Sequence, residues 1–297
     1  MENAMAIMEP RTSRSMEKPS RTAYKVALNV ITLGSKPEMD QVLPEGIVSA
    51  TEMLLIKSGI IGDKAAAFSR SKWAVSIYEA FDWLLPGQFE AFAHRKAFCE
   101  NHVREGIRAG AEQVLVLGAG YDTLGWRLAP LFPRVGFFEI DHPATARLKA
   151  KGIEAMSRPE NLHLIAEDLG VKQLSLILEQ NDIWCLDGKT VIIAEGLVMY
   201  LRPESVRNLF EECGCVAGQG SRIVFSYIPM GKNRRPDVGR CTGVMLWLQK
   251  LAGEPWLWSI YPEDLALFLE DTGWVENVDQ QGSKHKHGVE YFAVGVK

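Results

Sequence analysis

Four acids stand where a ligand-binding edge would need them. Asp122, Asp141, Asp168 and Glu195 each follow within a few residues of a short apolar run. The first run, QVLVL at 113–117, breaks into Gly118-Ala119-Gly120 before a helical stretch. Missing side chains let a ligand approach the backbone there, and amides at a helix start favour an anionic group. A dinucleotide-binding loop would carry a third glycine at 123; this chain has Thr123, with Asp122 in front of it.

A carboxylate at that point repels a pyrophosphate but tolerates a ligand whose tail is an amino acid, which brings an ammonium as well as a carboxylate. S-adenosylmethionine is such a ligand, so the loop favours it over NAD. The next acids fit. The run FFEIDHP places Asp141 23 residues beyond Gly118, where it can accept hydrogen bonds from two ribose hydroxyls; Glu139, on the same strand, is the less terminal choice. In IAEDLG, Asp168 can accept from an adenine amino group while Leu169 holds the ring, and in IIAEGLVMYL Glu195 emerges at the same edge. Helix N-caps explain any one of these acids, but the set of four less well.

The elements that must position them alternate. Strands are predicted at 113–117, 134–140, 162–166, 191–194 and 222–227, each an apolar run of the kind buried on both sheet faces. Helices fall between them; Val206, Leu209, Phe210 and Cys213 share one stripe, with Pro203 one turn upstream. After a helix at 262–271, GWVENVDQ and VEYFAVGV read as a terminal antiparallel hairpin. The fold class expected is α/β: a doubly wound, mostly parallel seven-stranded sheet, Rossmann-like, with that hairpin at its end. Before residue 110 the pattern is helical, at 24–33, 49–57, 64–85 and 87–108. The expected division is a tail over 1–18, a helical lid and substrate-pocket extension over 19–110, and a catalytic domain over 111–297.

The chain has 297 residues, 47% hydrophobic and 24% charged, with a net charge of -4. That balance gives no broad footprint for nucleic acid, and the lack of an 18-residue apolar run leaves no membrane partner to expect. Five cysteines without a C-x-x-C pair point to a reducing compartment, the cytoplasm. His285 and His287 lie two apart in a predicted turn and strand; without a cysteine or acid cluster nearby no metal is expected. His142 reads as a cap rather than a base. Trp247, Trp256, Trp258 and Tyr261 read as a core patch, with an apolar substrate pocket as the alternative.

The segments PSRTAYKVAL, HRKAF, LGAGYDTLGWRL, FFEIDHP, AEDL and AEGLVMYLRPE occur in the order of the leucine carboxyl methyltransferase family, which the chain resembles over roughly residues 19 to 297. The resemblance implies a class I S-adenosylmethionine-dependent O-methyltransferase. It implies Arg95 as partner of the cofactor carboxylate, with the adjacent Lys96 as alternative, and Gly118 and Gly120 as the amino-acid loop. It further implies Asp141 as ribose acceptor, Asp168 and Leu169 as adenine contacts, Glu195 near the cofactor amino group, and Tyr200 beside the methyl-transfer centre.

The function expected is therefore in-line methyl transfer to a carboxylate or hydroxyl of a small molecule, with S-adenosyl-L-homocysteine as co-product. A carboxylate is already ionised at neutral pH and needs no base, whereas a phenol does, and no convincing base stands out. An NAD-dependent oxidoreductase and a catalytically silent methyltransferase-like binding protein are the alternatives.

Overall fold

The computed structural model describes residues 18–278 and 285–297, with the side chains of 285–287 outside the description. Its strands are β1 (Gln113–Leu117), β2 (Gly136–Asp141), β3 (Leu162–Ala166), β4 (Thr190–Ala194), β5 (Arg222–Tyr227), β6 (Val275–Glu276), β7 (His285–His287) and β8 (Glu290–Val296). They form one sheet in the order β3-β2-β1-β4-β5-β8-β6. The first five are parallel, and β8 runs antiparallel to β5 and β6. These seven are the strands expected from sequence; the short β7, which pairs with β8 off that path, is additional.

Alternate residues of the apolar strands fill two cores. Val114, Val116, Phe137, Val191 and Ile193 join a cluster on one face. Leu115, Leu117, Phe138, Ile192 and Phe225 join the other. Both faces of β1 and β4 are thus buried, as in a parallel sheet covered by helices on each side. A fully buried Leu, Ile or Phe contributes roughly 1.5–3 kcal/mol over an exposed one, so the two clusters are the main stabilising mass of the molecule.

The helices of the first half are α1 (Arg21–Leu33), α2 (Ile47–Lys57), α3 (Asp63–Ser69), α4 (Lys72–Ala80) and α5 (Gln88–Arg108). Residues of α1, α2 and α5 share the first sheet core. Gly106 lets α5 lie directly on Val191 of β4. The single helix expected over 64–85 is two, because the Ser71 hydroxyl accepts from the Ala74 amide at 3.3 Å and starts a new helix. The remaining helices are α6 (Leu124–Leu128), α7 (Pro143–Ala155), α8 (Leu174–Glu179), α9 (Pro203–Val216), α10 (Thr242–Ala252) and α11 (Leu265–Asp271). Strand order reverses between β1 and β4, and a doubly wound sheet opens a crevice beyond the carboxyl ends of its strands at such a point.

Candidate active site

The turn after β1 lies at that reversal. The amides of Gly118 and Ala119 both donate to the Ile140 carbonyl, at 2.9 and 3.2 Å, which pins the turn to the end of β2. Gly118 (φ 64°) and Gly120 (φ 49°) are left-handed. A Cβ on Gly118 would sit 2.9 Å from Leu197 Cδ1, and one on Gly120 3.0 Å from Ala23 Cβ. Both glycines are therefore required by conformation and by space. Asp122 Oδ1 accepts from the Leu124 amide at 2.9 Å and opens α6. Thr123 is buried, and its hydroxyl accepts from Arg127 Nε. Close packing of helix on strand falls instead to Gly125, where a Cβ would lie 2.5 Å from Glu139 Oε1.

Asp141 ends β2, and its Oδ2 accepts from the Gly120 amide at 2.5 Å. Burial pushes its carboxyl up from the ordinary value, with the Gly120 amide and Lys149 pulling the other way. Glu139 is engaged elsewhere: it lies beneath the turn, 2.7 Å from Lys149 Nζ. His142 caps α7, its Nδ1 accepting from the Ala144 amide at 3.3 Å. Its Nε2 is 3.9 Å from Asp168 Oδ2, so the acids after β2 and β3 stand on one edge. Asp168 Oδ1 accepts from the Gly170 amide at 2.8 Å, and the half-buried Leu169 packs on the second core.

Two adjacent cations of α5 point at the same edge. Lys96 Nζ lies 2.7 Å from Asp122 Oδ2 and 2.9 Å from Glu195 Oε1. Despite their burial, Lys96 holds the Asp122 carboxyl well below the usual carboxylate range. Arg95 donates from Nε to Glu195 Oε1 and from Nη1 to both oxygens of Glu290, each at 2.8 Å, and its guanidinium lies over the Phe92 ring. Burial alone would lower its pKa; Glu290 and Glu195 more than offset that and raise it. Gln88 completes the group by donating to Glu290 Oε1 at 2.9 Å and accepting from the Val289 amide. Arg95 and Lys96 thus face three carboxylates, Asp122, Glu195 and Glu290.

Glu290 and Gln88 escaped the sequence reading. The available signal was a single acid heading an otherwise apolar alternating strand, at a position that the sheet buries.

Tyr200 closes a one-turn helix, 198–200, after β4. Burial pushes its hydroxyl up, against the pull of Trp256 and Thr22. It packs with Trp256, Leu84 and Leu85 against Met199, Met245 and Val289. Above the glycine turn, the start of α1 is tied down on both sides: the Ser20 amide donates to Thr145 Oγ1 at 3.0 Å, and the Ser20 and Thr22 hydroxyls donate to the Glu254 carboxylate. The tryptophans expected to act together separate: Trp258 is core, Trp256 lines the Tyr200 cluster and Trp247 is exposed. A cavity of about 480 Å³ lies beyond β5, lined by Pro86, Met230, Val238, Val289 and Tyr291 among others. Among the described residues no group of three or more His, Cys, Asp or Glu could hold a metal ion, and the side chains of His285 and His287 lie outside the description.

Residues 47–214 match the family profile described as leucine carboxyl methyltransferase. The chain belongs to the leucine carboxyl methyltransferase family. The leucine carboxyl methyltransferase segment runs from α2 through most of α9 and so contains Arg95, Lys96, the glycine turn, the four strand-end acids and Tyr200, while Glu254, Trp256 and Glu290 lie outside it. The Bacillus subtilis (strain 168) protein YktD, provisionally named an S-adenosyl-L-methionine-dependent methyltransferase, is 27% identical over 183 residues, 60% of this chain and 59% of its own length. A Mycobacterium marinum protein of the same provisional name is 27% identical over 216 residues, 67% of this chain and 66% of its own. The chain thus spans less than two thirds of each of these curated relatives. The crystal structure of a provisionally named methyltransferase from Thermobifida fusca superposes with a TM-score of 0.58 at 16% identity, over 88% of this chain and 97% of that one, a likeness of fold. The sheet is that of the Rossmann-like class I methyltransferases, and the cofactor of this family is S-adenosyl-L-methionine.

Proposed function

We propose that this protein transfers the methyl group of S-adenosyl-L-methionine to an oxygen atom, of a carboxylate or a hydroxyl, on a small molecule. The observation that carries the reading is the charge around the glycine turn: two buried cations against three carboxylates, with Asp141 beside them. That surplus suits a ligand bearing an ammonium and a sulfonium and opposes a pyrophosphate.

When bound, S-adenosyl-L-methionine supplies a methyl group activated by a positively charged sulfur. In this reading Gly118 and Gly120 receive its amino-acid end. Arg95 keeps Nη2 without a hydrogen bond among the described residues and turns it to the ligand carboxylate, with Lys96 as the neighbouring cation. Asp122 and Glu195 face the ligand ammonium, Asp141 accepts from the ribose hydroxyls, and Asp168 with Leu169 holds the adenine.

On the acceptor side, Tyr200 keeps its proton because burial raises its pKa, so it donates a hydrogen bond rather than abstracting a proton. His142 has Nδ1 committed to its helix cap. A carboxylate acceptor needs neither as a base, since it is ionised at neutral pH. Holding it in line at about 3–3.5 Å from the methyl carbon, away from water, then supplies most of the lowering of the barrier. The cavity beyond β5 shares Val238 and Val289 with the Tyr200 cluster and suits the apolar part of the acceptor.

The test is incubation of the full chain with methyl-labelled cofactor and a panel of carboxylic acids, phenols, amines and thiols. Label released from the product by mild alkali marks a methyl ester, and alkali-stable label on a phenol marks an ether; either supports oxygen transfer. Label confined to amines or thiols, or binding of NADH without binding of S-adenosyl-L-methionine, overturns it.

A further inference from the structure

The helix α10 is built the wrong way round for a helix that belongs only to a core. Of its eleven residues Met245 alone is buried, while Val244, Trp247, Leu248 and Leu251 form an exposed stripe at helical spacing, Trp247 59% and Leu251 65% exposed. The stripe continues onto a second element: Cys241 Sγ lies 3.9 Å from the Trp83 carbonyl, and Trp83 and Phe81 are themselves exposed. Contiguous exposed apolar surface of this kind marks an interaction site.

The loop that leads into the helix says what covers it. Residues 232–250 carry five cations, Lys232, Arg234, Arg235, Arg240 and Lys250, against one carboxylate, Asp237, in a chain whose net charge is -4. All five are exposed, and none forms an ion pair among the described residues. Asp237, also exposed, accepts from the Gly239 amide and the Thr242 hydroxyl at 2.8 Å each within its own loop and pairs with none of the five. The positive charge is therefore presented to solvent beside the apolar stripe. Exposed Trp, Phe and Leu flanked by unpaired Lys and Arg are the composition of a helix that lies in a lipid headgroup layer, its rings at the acyl boundary and its cations on anionic headgroups. A second copy docking face to face would set these cations against their own counterparts, which an anionic headgroup layer does not.

We propose that α10, the 232–240 loop and the Phe81–Trp83 turn form a face that docks on an anionic lipid bilayer. The expectation that this protein has no membrane partner came from the want of a spanning segment, and among the described residues no helix is long and apolar enough to cross a membrane. An interfacial face needs no such helix. The proposal does not rest on the methyl-transfer chemistry.

The test is co-sedimentation of the full chain with vesicles of phosphatidylcholine alone and of phosphatidylcholine with phosphatidylglycerol, alongside gel filtration across a range of protein concentration. Sedimentation is expected with the anionic vesicles, little with the neutral ones, and loss at about 0.5 M salt, where screening confines charge attraction to a few ångströms. Arg234→Glu with Arg235→Glu should lower the partition coefficient about tenfold or more, and Trp247→Glu with Leu251→Glu should abolish sedimentation; these residues are exposed, so both variants should keep the wild-type melting transition. The proposal is overturned if the wild type stays in the supernatant with anionic vesicles, or if both variants bind as the wild type does. It is equally overturned if gel filtration shows a dimer that Trp247→Glu with Leu251→Glu dissolves while vesicles bind nothing, which assigns the stripe to a second copy.

Discussion

Lys96 Nζ stands 2.7 Å from Asp122 Oδ2, and the same ammonium reaches Glu195. One cation on α5 thus joins the turn after β1 to the turn after β4, the two flanks of the strand-order reversal. Asp122 owes its lowered pKa to this contact, so its share of stability is present above the unfolded carboxylate pKa and lost as pH falls through the lower folded one.

Replacing Lys96 by Met leaves Asp122 and Glu195 buried with one compensating cation fewer. Removal of one partner of a buried pair costs about 3–5 kcal/mol. Chemical denaturation should show a loss of that order, larger than for Lys36→Met, whose partners Glu79 and Glu90 are half exposed.

Gly125→Ala tests the packing of α6 on β2. Its Cβ would meet Glu139 Oε1 at 2.5 Å and Leu162 Cδ1 at 2.9 Å, both in the buried layer under the turn. Overpacking of this kind costs about 1–3 kcal/mol. Thermal melting should fall accordingly, while a melting transition equal to wild type would contradict the close approach.

Asp141 gives a pH dependence. Its carboxyl is raised by burial, so at acidic pH the free protein holds a proton there that ribose hydroxyls would have to displace. Affinity for S-adenosyl-L-methionine should strengthen as pH rises through the free-protein pKa of Asp141, with proton release on binding below it. Calorimetry in two buffers of different ionisation enthalpy reads this directly, and in Asp141→Asn the released proton should vanish.

Tyr200→Phe removes one neutral hydrogen bond, a loss of about 0.5–1.5 kcal/mol. The expected result is a rise of about two- to tenfold in the acceptor KM or a matching fall in kcat. The pH-rate profile between 6 and 9 should keep its shape, because the hydroxyl stays protonated there. A lost basic limb in that range would make Tyr200 a titrating base.

Legibility from sequence followed the range of the contacts. β1, β3 and β5 begin and end where their apolar runs do; β1 and β5 are buried along nearly their whole length, whereas the edge strand β3 is only partly buried and was legible from its apolar run alone. The strand-end acids were legible because each follows the end of such a run by no more than five residues. Glu290 and Gln88 were not, because their link to Arg95 joins residues about 200 positions apart that no local pattern relates. The split at Ser71 was hidden by apolar periodicity continuing across a serine whose cap geometry appears only in the fold. The segment containing α10 read as core or pocket because exposed and buried stripes have the same period, and only the packing tells which way Trp247 and Leu251 face.

The central claim is that carboxylates at the tips of neighbouring strands hold a cationic adenosyl ligand over a glycine turn. Its most direct test is calorimetric titration of S-adenosyl-L-methionine into the full chain and into Asp141→Asn and Asp168→Asn. The account predicts one site per chain in the wild type, weakened about tenfold or more by Asp141→Asn, the equivalent of roughly 1.4 kcal/mol, and to a lesser degree by Asp168→Asn, whose carboxylate is one-fifth exposed. No binding to the wild type, or equal binding to all three proteins, would contradict it.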